Sequence, residues 1–329
     1  MSTANPAAQT HAAPSARIAH YPVTFFAIGM GMMGLTLATR AAEHALDLPK
    51  LASPWVLGLS VLMLCAVTIG YAAKALTHPA ELKAEWNHPV RIAFFPAISI
   101  SLLLLAAALL EPMPELAHVV WLAGTALQGV LALSVISAWI GHRAFQPGQL
   151  TPAWFIPAVG NVIVPLAGAR LGYTEISWLF FSGGLVFWVV LLTLVVNRLM
   201  FHDPLPGKMV PTLMILVAPP AVAFTAWLRL NGEVGPFGHF LLSAAYVFAL
   251  IVATQLRRFR AIPFALSWWA LSFPLAALTI ASFGYAEAAG SAPHRMIGVG
   301  LLALLLVVVA GLILRTALAI RAGTICRPE

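Results

Sequence analysis

Residues 262–274 read IPFALSWWALSFP, an apolar segment with one proline near its start and a second at its end. A proline in the first turn of a helix costs little, because its nitrogen has no intrahelical partner there. A proline further along removes a backbone hydrogen bond and kinks the helix. At membrane depth such a break is tolerated where neighbouring helices or a cavity satisfy the freed carbonyls. The segment therefore predicts a bent transmembrane helix with Phe273 at its bend.

The composition predicts an all-α integral membrane protein. Of 329 residues, 61% are hydrophobic and only 9% are charged, and the mean hydropathy is +0.92. Soluble domains carry far more charge. The formal net charge of +7 is spread over short loops, so we interpret it as a membrane topology signal and not as a nucleic-acid surface.

Apolar windows long enough to cross a hydrocarbon core of about 30 Å predict ten transmembrane spans. We place residues 1–19 in a disordered cytoplasmic tail without a signal peptide, residues 20–321 in one channel domain, and residues 322–329 in a second tail. The predicted spans are 22–42, 54–73, 89–110, 117–141, 152–171, 176–196, 210–230, 236–256, 263–286 and 296–314.

Basic residues are divided unequally between the two sides of this topology. We call the side with more of them the basic face, and it holds 13 of the 18 lysines and arginines. The remaining five, on the opposite face, are Arg40, Lys50, Arg170, Arg229 and Arg295. Because cytoplasmic loops carry the excess of Lys and Arg, we predict that the basic face and both termini are cytoplasmic.

Prolines in the interior of a span occur in the odd spans only. Each odd span has a proline near its start: Pro22, Pro89, Pro152, Pro211 and Pro263. The predicted second breaks are Pro96, Pro157 with Gly160 and Pro165, Pro219 with Pro220, Pro274, and in the first span the glycines Gly29, Gly31 and Gly34. Even spans have no interior proline. We therefore predict five tandem helical hairpins, with the bent odd helices in an inner ring around a central pore and the even helices outside.

Ionisable side chains are confined to the ends of the spans, so no buried proton relay is predicted. Phosphate-binding loops, metal clusters and nucleophile motifs are also missing from the sequence, and we expect neither a cofactor nor an enzyme. Candidate pore-lining residues, besides the bends, are Ser99, Asn161, Ala218, Ser272, Ala276 and Thr279. An uncharged pore with a basic rim favours anions.

Phe273 is the candidate gate of this pore. An aromatic ring that projects from a kink into a narrow apolar passage blocks it sterically and by dewetting. From the residues alone, ordinary helix packing is the slightly favoured role for this side chain.

Four pieces of the chain resemble the tellurite-resistance/dicarboxylate transporter family, to which the plant slow-type anion channels are related. They are residues 21–35, the His88–Arg91 entry with Phe94 and Phe95, residues 157–161 (PAVGN), and above all residues 267–274 (SWWALSFP). The resemblance extends over residues 21–321, nearly the whole chain.

This resemblance implies ten helices in five hairpins, a homotrimer with one pore in each subunit, and a phenylalanine gate at Phe273. It also implies passage of small anions such as chloride and nitrate, with malate or sulphite as further substrates. Some relatives bend the first helix with a proline where this chain has Gly29.

Three functions stay open at this point. The first is a gated, passive anion channel. The second is a carrier for malate, sulphite or tellurite, which requires a discrete basic site, with Arg40, Arg91 and Arg170 as candidates. The third is a membrane scaffold without ion flux.

Overall fold

The structure, a computed structural model, describes residues 14–141 and 145–326. It is 83% helical, and no strand occurs within these two ranges. The all-α fold predicted from the composition is therefore confirmed, and the apolar helices make the chain a multi-pass membrane protein.

Ten segments follow one another as five pairs. They are α1 (Val23–Ala45), α2 (Ala52–Thr77), α3 (Arg91–Leu109), α4 (Pro114–Ile140), α5 (Pro152–Gly168), α6 (Thr174–Phe201), α7 (Gly207–Asn231), α8 (Gly235–Ala253), α9 (Leu266–Ala288) and α10 (Ala292–Arg321). In the described ranges, nine are long and apolar enough to cross a membrane, and α5 is shorter. The shorter helices Pro14–Ala19, Pro79–Asn87, Pro147–Gln149 and Leu256–Arg260 lie between or before them.

Each odd segment begins as a 3₁₀-helix and continues as an α-helix. The initial 3₁₀ pieces are Val23–Phe25, Arg91–Phe94, Pro152–Trp154, Gly207–Val217 and Leu266–Leu271. In α3, α7 and α9 the change to α-helix occurs next to a predicted break: Pro96 precedes the α part, Pro219 and Pro220 lie in its first turn, and Pro274 is its third residue. The even segments are continuous α-helices.

The predicted glycine break in the first span is wrong. Residues Phe26–Ala45 form one uninterrupted α-helix that includes Gly29, Gly31 and Gly34. These glycines instead allow close packing, because a Cβ at Gly31 would lie 2.1 Å from Ser272 Oγ and one at Gly29 would lie 2.9 Å from Leu64 Cδ1. Small residues let membrane helices approach each other closely.

Odd and even helices differ sharply in burial. In the four odd helices long enough to span a membrane, 67–78% of the residues in the apolar 18-residue stretch are buried. In the even helices the share is 22–39%. Large apolar side chains on the even helices point outward, as Trp55 and Ile140 do with 83% and 81% of their surface exposed. The chain thus separates into buried odd helices and more exposed even ones, as the proline pattern predicts.

A glutamine from an outer helix supports the broken backbone of α5. Gln128 on α4 is fully buried, and its Nε2 donates to the Pro157 carbonyl and to Asn161 Oδ1, both at 3.0 Å. Its Oε1 accepts a 2.7 Å hydrogen bond from Ser99 on α3. A Cβ at Gly160 would lie 2.6 Å from Gln128 Nε2, so the glycine gives the amide its space.

A buried ion pair fixes the start of α1 at the basic face. Lys74 Nζ and Glu85 Oε2 are 2.7 Å apart, with 4% and 1% of their side chains exposed. Glu85 also accepts hydrogen bonds from the Val23 backbone nitrogen at 2.8 Å and the Tyr71 hydroxyl at 3.0 Å, while Lys74 donates to the Tyr21 carbonyl. Buried charges persist only when paired and hydrogen-bonded in this way.

The two terminal segments meet on the basic face. Residues Pro14–Ala19, part of the predicted tail, form a short helix, and a Cβ at Gly323 would lie 3.4 Å from an Arg17 guanidinium nitrogen. Residues 1–13 and 327–329 of the predicted tails, and Arg143 of the basic face, lie outside the described residues.

We predict that Gly31→Ala destabilises the protein by on the order of 1–3 kcal/mol, because the added methyl group overlaps Ser272 and forces α1 away from α9. Thermal unfolding in detergent measures the effect. Gly58→Ala on α2 is the matched control, since no atom lies within 4 Å of its Cβ position. Equal unfolding temperatures for the two variants would contradict the packing role of Gly31.

Candidate functional site

Two cavities lie inside the inner ring, and we call the first the apolar chamber. Its volume is about 50 Å³. Its described lining comes from all five inner helices and is entirely apolar in residue type: Ala27, Met30, Phe94, Ile100, Phe155, Ile156, Val159, Gly160, Ile163, Ile215, Ala218, Trp269, Ala270, Phe273 and Pro274. The indole nitrogen of Trp269 donates to Thr316 Oγ1 on α10 at 2.9 Å, so its polar atom is engaged by an outer helix.

The second cavity, which we call the vestibule, lies toward the opposite face. Its volume is about 540 Å³, and it too is lined by all five inner helices and by the loops that follow them. Its charged and titratable lining residues are Arg40, His44, Lys50, Glu111, Arg170, Arg229 and Glu287. The two cavities therefore differ in both size and polarity.

Phe273 is the one described residue that borders both cavities. It is the second residue of the α part of α9, directly before Pro274, and only 7% of its surface is exposed. Its ring packs beside α1, where a Cβ at Gly34 would lie 3.3 Å from Phe273 Cδ2. Phe273 therefore lies where the linings of the apolar chamber and the vestibule meet.

The structure brings some of the predicted lining residues together and leaves others behind the lining. Gly160, Ala218 and Pro274 border the apolar chamber with Phe273. The others are absent from the described lining of both cavities: Gly29, Gly31, Pro96, Ser99, Pro157, Asn161, Pro219, Pro220, Ser272, Ala276 and Thr279. They pack between helices, and Ser272 and Thr279 donate their hydroxyls to backbone carbonyls of their own helix.

Two ion pairs and three further cations shape the charge of the vestibule. Lys50 Nζ lies 2.7 Å from Glu111 Oε2, and His44 Nδ1 lies 2.6 Å from Glu287 Oε1. The hydrogen bond from Lys50, with the nearby charges of Arg40 and Arg170, holds the pKa of the Glu111 carboxyl below its usual range. Four permanent positive charges therefore face two carboxylates, and the vestibule is net positive.

Sequence reasoning missed most of this site, although signals for it existed. Arg40, Arg170 and Arg229 lie at the ends of odd spans, and all three line the vestibule together with Lys50 from the loop after α1. The apolar lining residues, such as Met30 and Ile215, gave no signal, because the inner helices are apolar on every side. Among the described residues, no group of three or more His, Cys, Asp or Glu side chains could hold a metal ion.

Comparisons with known proteins agree with this architecture. A family model described as voltage-dependent anion channel (SLAC1) matches residues 20–317. The S-type anion channel SLAH2 of Arabidopsis thaliana is 30% identical over 279 residues, which cover 81% of this chain and 53% of the relative. The guard cell S-type anion channel SLAC1 of the same plant is 23% identical, over 85% of this chain and 52% of the relative.

A bacterial relative matches over a larger share of its own length. The tellurite resistance protein TehA homolog of Haemophilus influenzae is 28% identical over 270 residues, 78% of this chain and 79% of the relative. By contrast, the chain spans about half the length of the plant channels it matches. The resemblance found in the sequence is confirmed, and the chain belongs to the SLAC1 family of voltage-dependent anion channels.

Proposed function

We propose that the chain is a gated, passive channel for small anions such as chloride and nitrate, with Phe273 as its gate. The observation that carries this proposal is the position of Phe273 between the apolar chamber and the charged vestibule. A cavity needs roughly 10–15 Å³ for each water it holds, so a chamber of about 50 Å³ has room for only a few waters. An apolar constriction of this size closes by dewetting as well as by steric contact.

The charges on either side of the gate support selection for anions. The vestibule attracts anions, because its positive charges outnumber its carboxylates. The described lining of the apolar chamber includes no ionisable side chain, so an anion that passes the gate meets no tight binding site there. Conduction requires such weak binding, since an ion that enters must also leave. These features support passage and not catalysis.

A carrier for malate, sulphite or tellurite is the alternative function. The arginines of the vestibule favour it, because guanidinium groups bind oxyanions with well-defined geometry. A carrier, however, exposes its binding groups alternately to both faces, and here the charged groups lie on one side of Phe273 only. Saturable uptake of malate with no single-channel currents in chloride would favour the carrier over the channel.

We also propose that the protein resides in a bacterial inner membrane as a homotrimer with both termini in the cytoplasm. The excess of basic residues on the basic face supports the orientation, and the family resemblance implies the trimer, which native mass spectrometry of the detergent-solubilised protein tests.

The gate predicts that Phe273→Ala raises anion conductance on the order of tenfold or more, equivalent to about 1.4 kcal/mol off the barrier. Chloride currents in planar bilayers measure the effect, and cation currents should stay low. Phe240→Ala is the matched control, because Phe240 lies on the outer helix α8 with 58% of its surface exposed. If a correctly inserted Phe273→Ala protein conducts no more than the control, Phe273 is not the gate.

The orientation predicts different outcomes for two fusions to the C-terminus. A green fluorescent protein fused there should be fluorescent in intact bacteria, because it folds in the cytoplasm. An alkaline phosphatase fused at the same position should be inactive, since it requires export. An active phosphatase would reverse the proposed topology.

A further inference from the structure

The apolar chamber takes more of its wall from α5 than from any other inner helix. Five described lining residues lie on α5, and they are Phe155, Ile156, Val159, Gly160 and Ile163. Along this wall the α-helix Phe155–Val159 gives way to the 3₁₀-helix Gly160–Ile163. The backbone thus changes its geometry at the chamber itself, and the contacts that hold this change also fix the position of the wall.

Gln128 holds this part of α5 from behind. It lies on the outer helix α4, is fully buried, and is absent from the described lining of both cavities. Its Nε2 donates to the Pro157 carbonyl and to Asn161 Oδ1, both at 3.0 Å. Pro157 lies in the α-helix, and Asn161 lies in the 3₁₀-helix that follows. One side chain therefore joins the two halves of the α5 wall.

The same side chain also reaches the neighbouring wall, which α3 forms. Gln128 Oε1 accepts a hydrogen bond of 2.7 Å from Ser99, and Ser99 is fully buried. The next residue, Ile100, borders the chamber. A planar amide with hydrogen bonds to both helices fixes the distance between them, because an unpaired amide or hydroxyl at membrane depth is costly.

Gly160 brings the amide directly behind the chamber. A Cβ at this position would lie 2.6 Å from Gln128 Nε2 and 2.8 Å from its Oε1. The amide therefore fills the space that a side chain at position 160 would occupy, and Gly160 itself borders the chamber. A change in the size of residue 128 is passed to the chamber wall through this contact.

We propose that Gln128 is a positioning residue that sets the width of the apolar chamber, and with it how strongly the protein distinguishes between anions. This role rests on the proposed channel function. An anion that enters a narrow apolar chamber sheds most of its water, so a weakly hydrated anion such as nitrate is favoured over chloride. In a wider chamber each anion keeps more of its water, and the difference between the two becomes smaller.

The test is the permeability ratio of nitrate to chloride, measured from reversal potentials in planar bilayers with the Phe273→Ala channel as the background. This ratio does not depend on the number of inserted channels, so a loss of protein or of stability alone leaves it unchanged. Gln128→Ala removes all three hydrogen bonds and the support behind Gly160. It should bring the ratio toward one by roughly twofold, which corresponds to a small difference between two barriers.

Thr125→Val is the matched control. Thr125 lies one turn before Gln128 on α4, is buried, and its hydroxyl has no hydrogen-bond partner in the part of the chain that the structure describes. Valine has nearly the same shape as threonine. The variant therefore removes a buried polar group near Gln128 without removing a hydrogen bond to the inner helices, and its ratio should equal that of the background.

A double variant tests the contact with Gly160 directly. Gly160→Ala places a methyl group where the amide lies, so it should shift the ratio when introduced alone. Combined with Gln128→Ala, the methyl group occupies the space that the amide leaves. The double variant should therefore lie closer to the background than Gln128→Ala does. If Gln128→Ala does not insert, Ser99→Ala removes the link to α3 only and should shift the ratio in the same direction.

Three results would overturn the positioning role while chloride current persists. They are a ratio that neither Gln128→Ala nor Ser99→Ala changes, an equal change with Thr125→Val, and a double variant no closer to the background than Gln128→Ala. A correctly inserted Phe273→Ala protein without chloride current would instead defeat the proposed channel function, and the selectivity role of Gln128 with it.

Discussion

The structure depends on one constraint: a backbone polar group at membrane depth must find a partner within the protein. Each odd helix departs from regular α-geometry where it begins, and the longest departure is the 11-residue 3₁₀ stretch Gly207–Val217. Runs of this kind rarely exceed three or four residues, and lipid cannot satisfy the displaced carbonyls. The continuous even helices surround the odd helices and keep their unpaired backbone groups away from lipid. Gln128 is an example: its side-chain amide, on an outer helix, donates a hydrogen bond to the Pro157 carbonyl of an inner helix.

The same five helices line an uncharged cavity and a charged cavity, which lie next to each other. The 3₁₀ and α portions of the inner helices together line a small chamber without charge, and further along the α portions border a wide vestibule that holds four of the five basic residues of the opposite face. Phe273 lies where one becomes the other, next to a proline that fixes its backbone. On the proposed channel function, attraction of an anion and control of its passage depend on different residues, so substitutions should change one without the other.

Part of this architecture could be predicted from the sequence because proline is an unambiguous signal. Its restriction to odd spans indicated which helices are buried, and Pro274 placed Phe273 at a bend. Glycine is ambiguous, since it permits both bends and close packing, and the run from Gly29 to Gly34 was therefore assigned the wrong role. The orientation of Ser99 and Asn161 toward Gln128 was beyond prediction as well, because helices that are apolar on all sides give no sign of which face points inward. The count of ten spans stays a prediction, since α5 is a short, mixed segment.

We propose that the inner ring encloses a passage that Phe273 interrupts. Its most direct test is the reaction of a cysteine in the apolar chamber, such as Ala218→Cys, with a small anionic methanethiosulfonate added to the vestibule side, in a background without Cys65 and Cys326. We expect slow labelling when Phe273 is present and fast labelling with Phe273→Ala, while a cysteine at the exposed position Val247 on α8 should react equally in both. Labelling of Ala218→Cys at the same rate with and without the phenylalanine ring would contradict it.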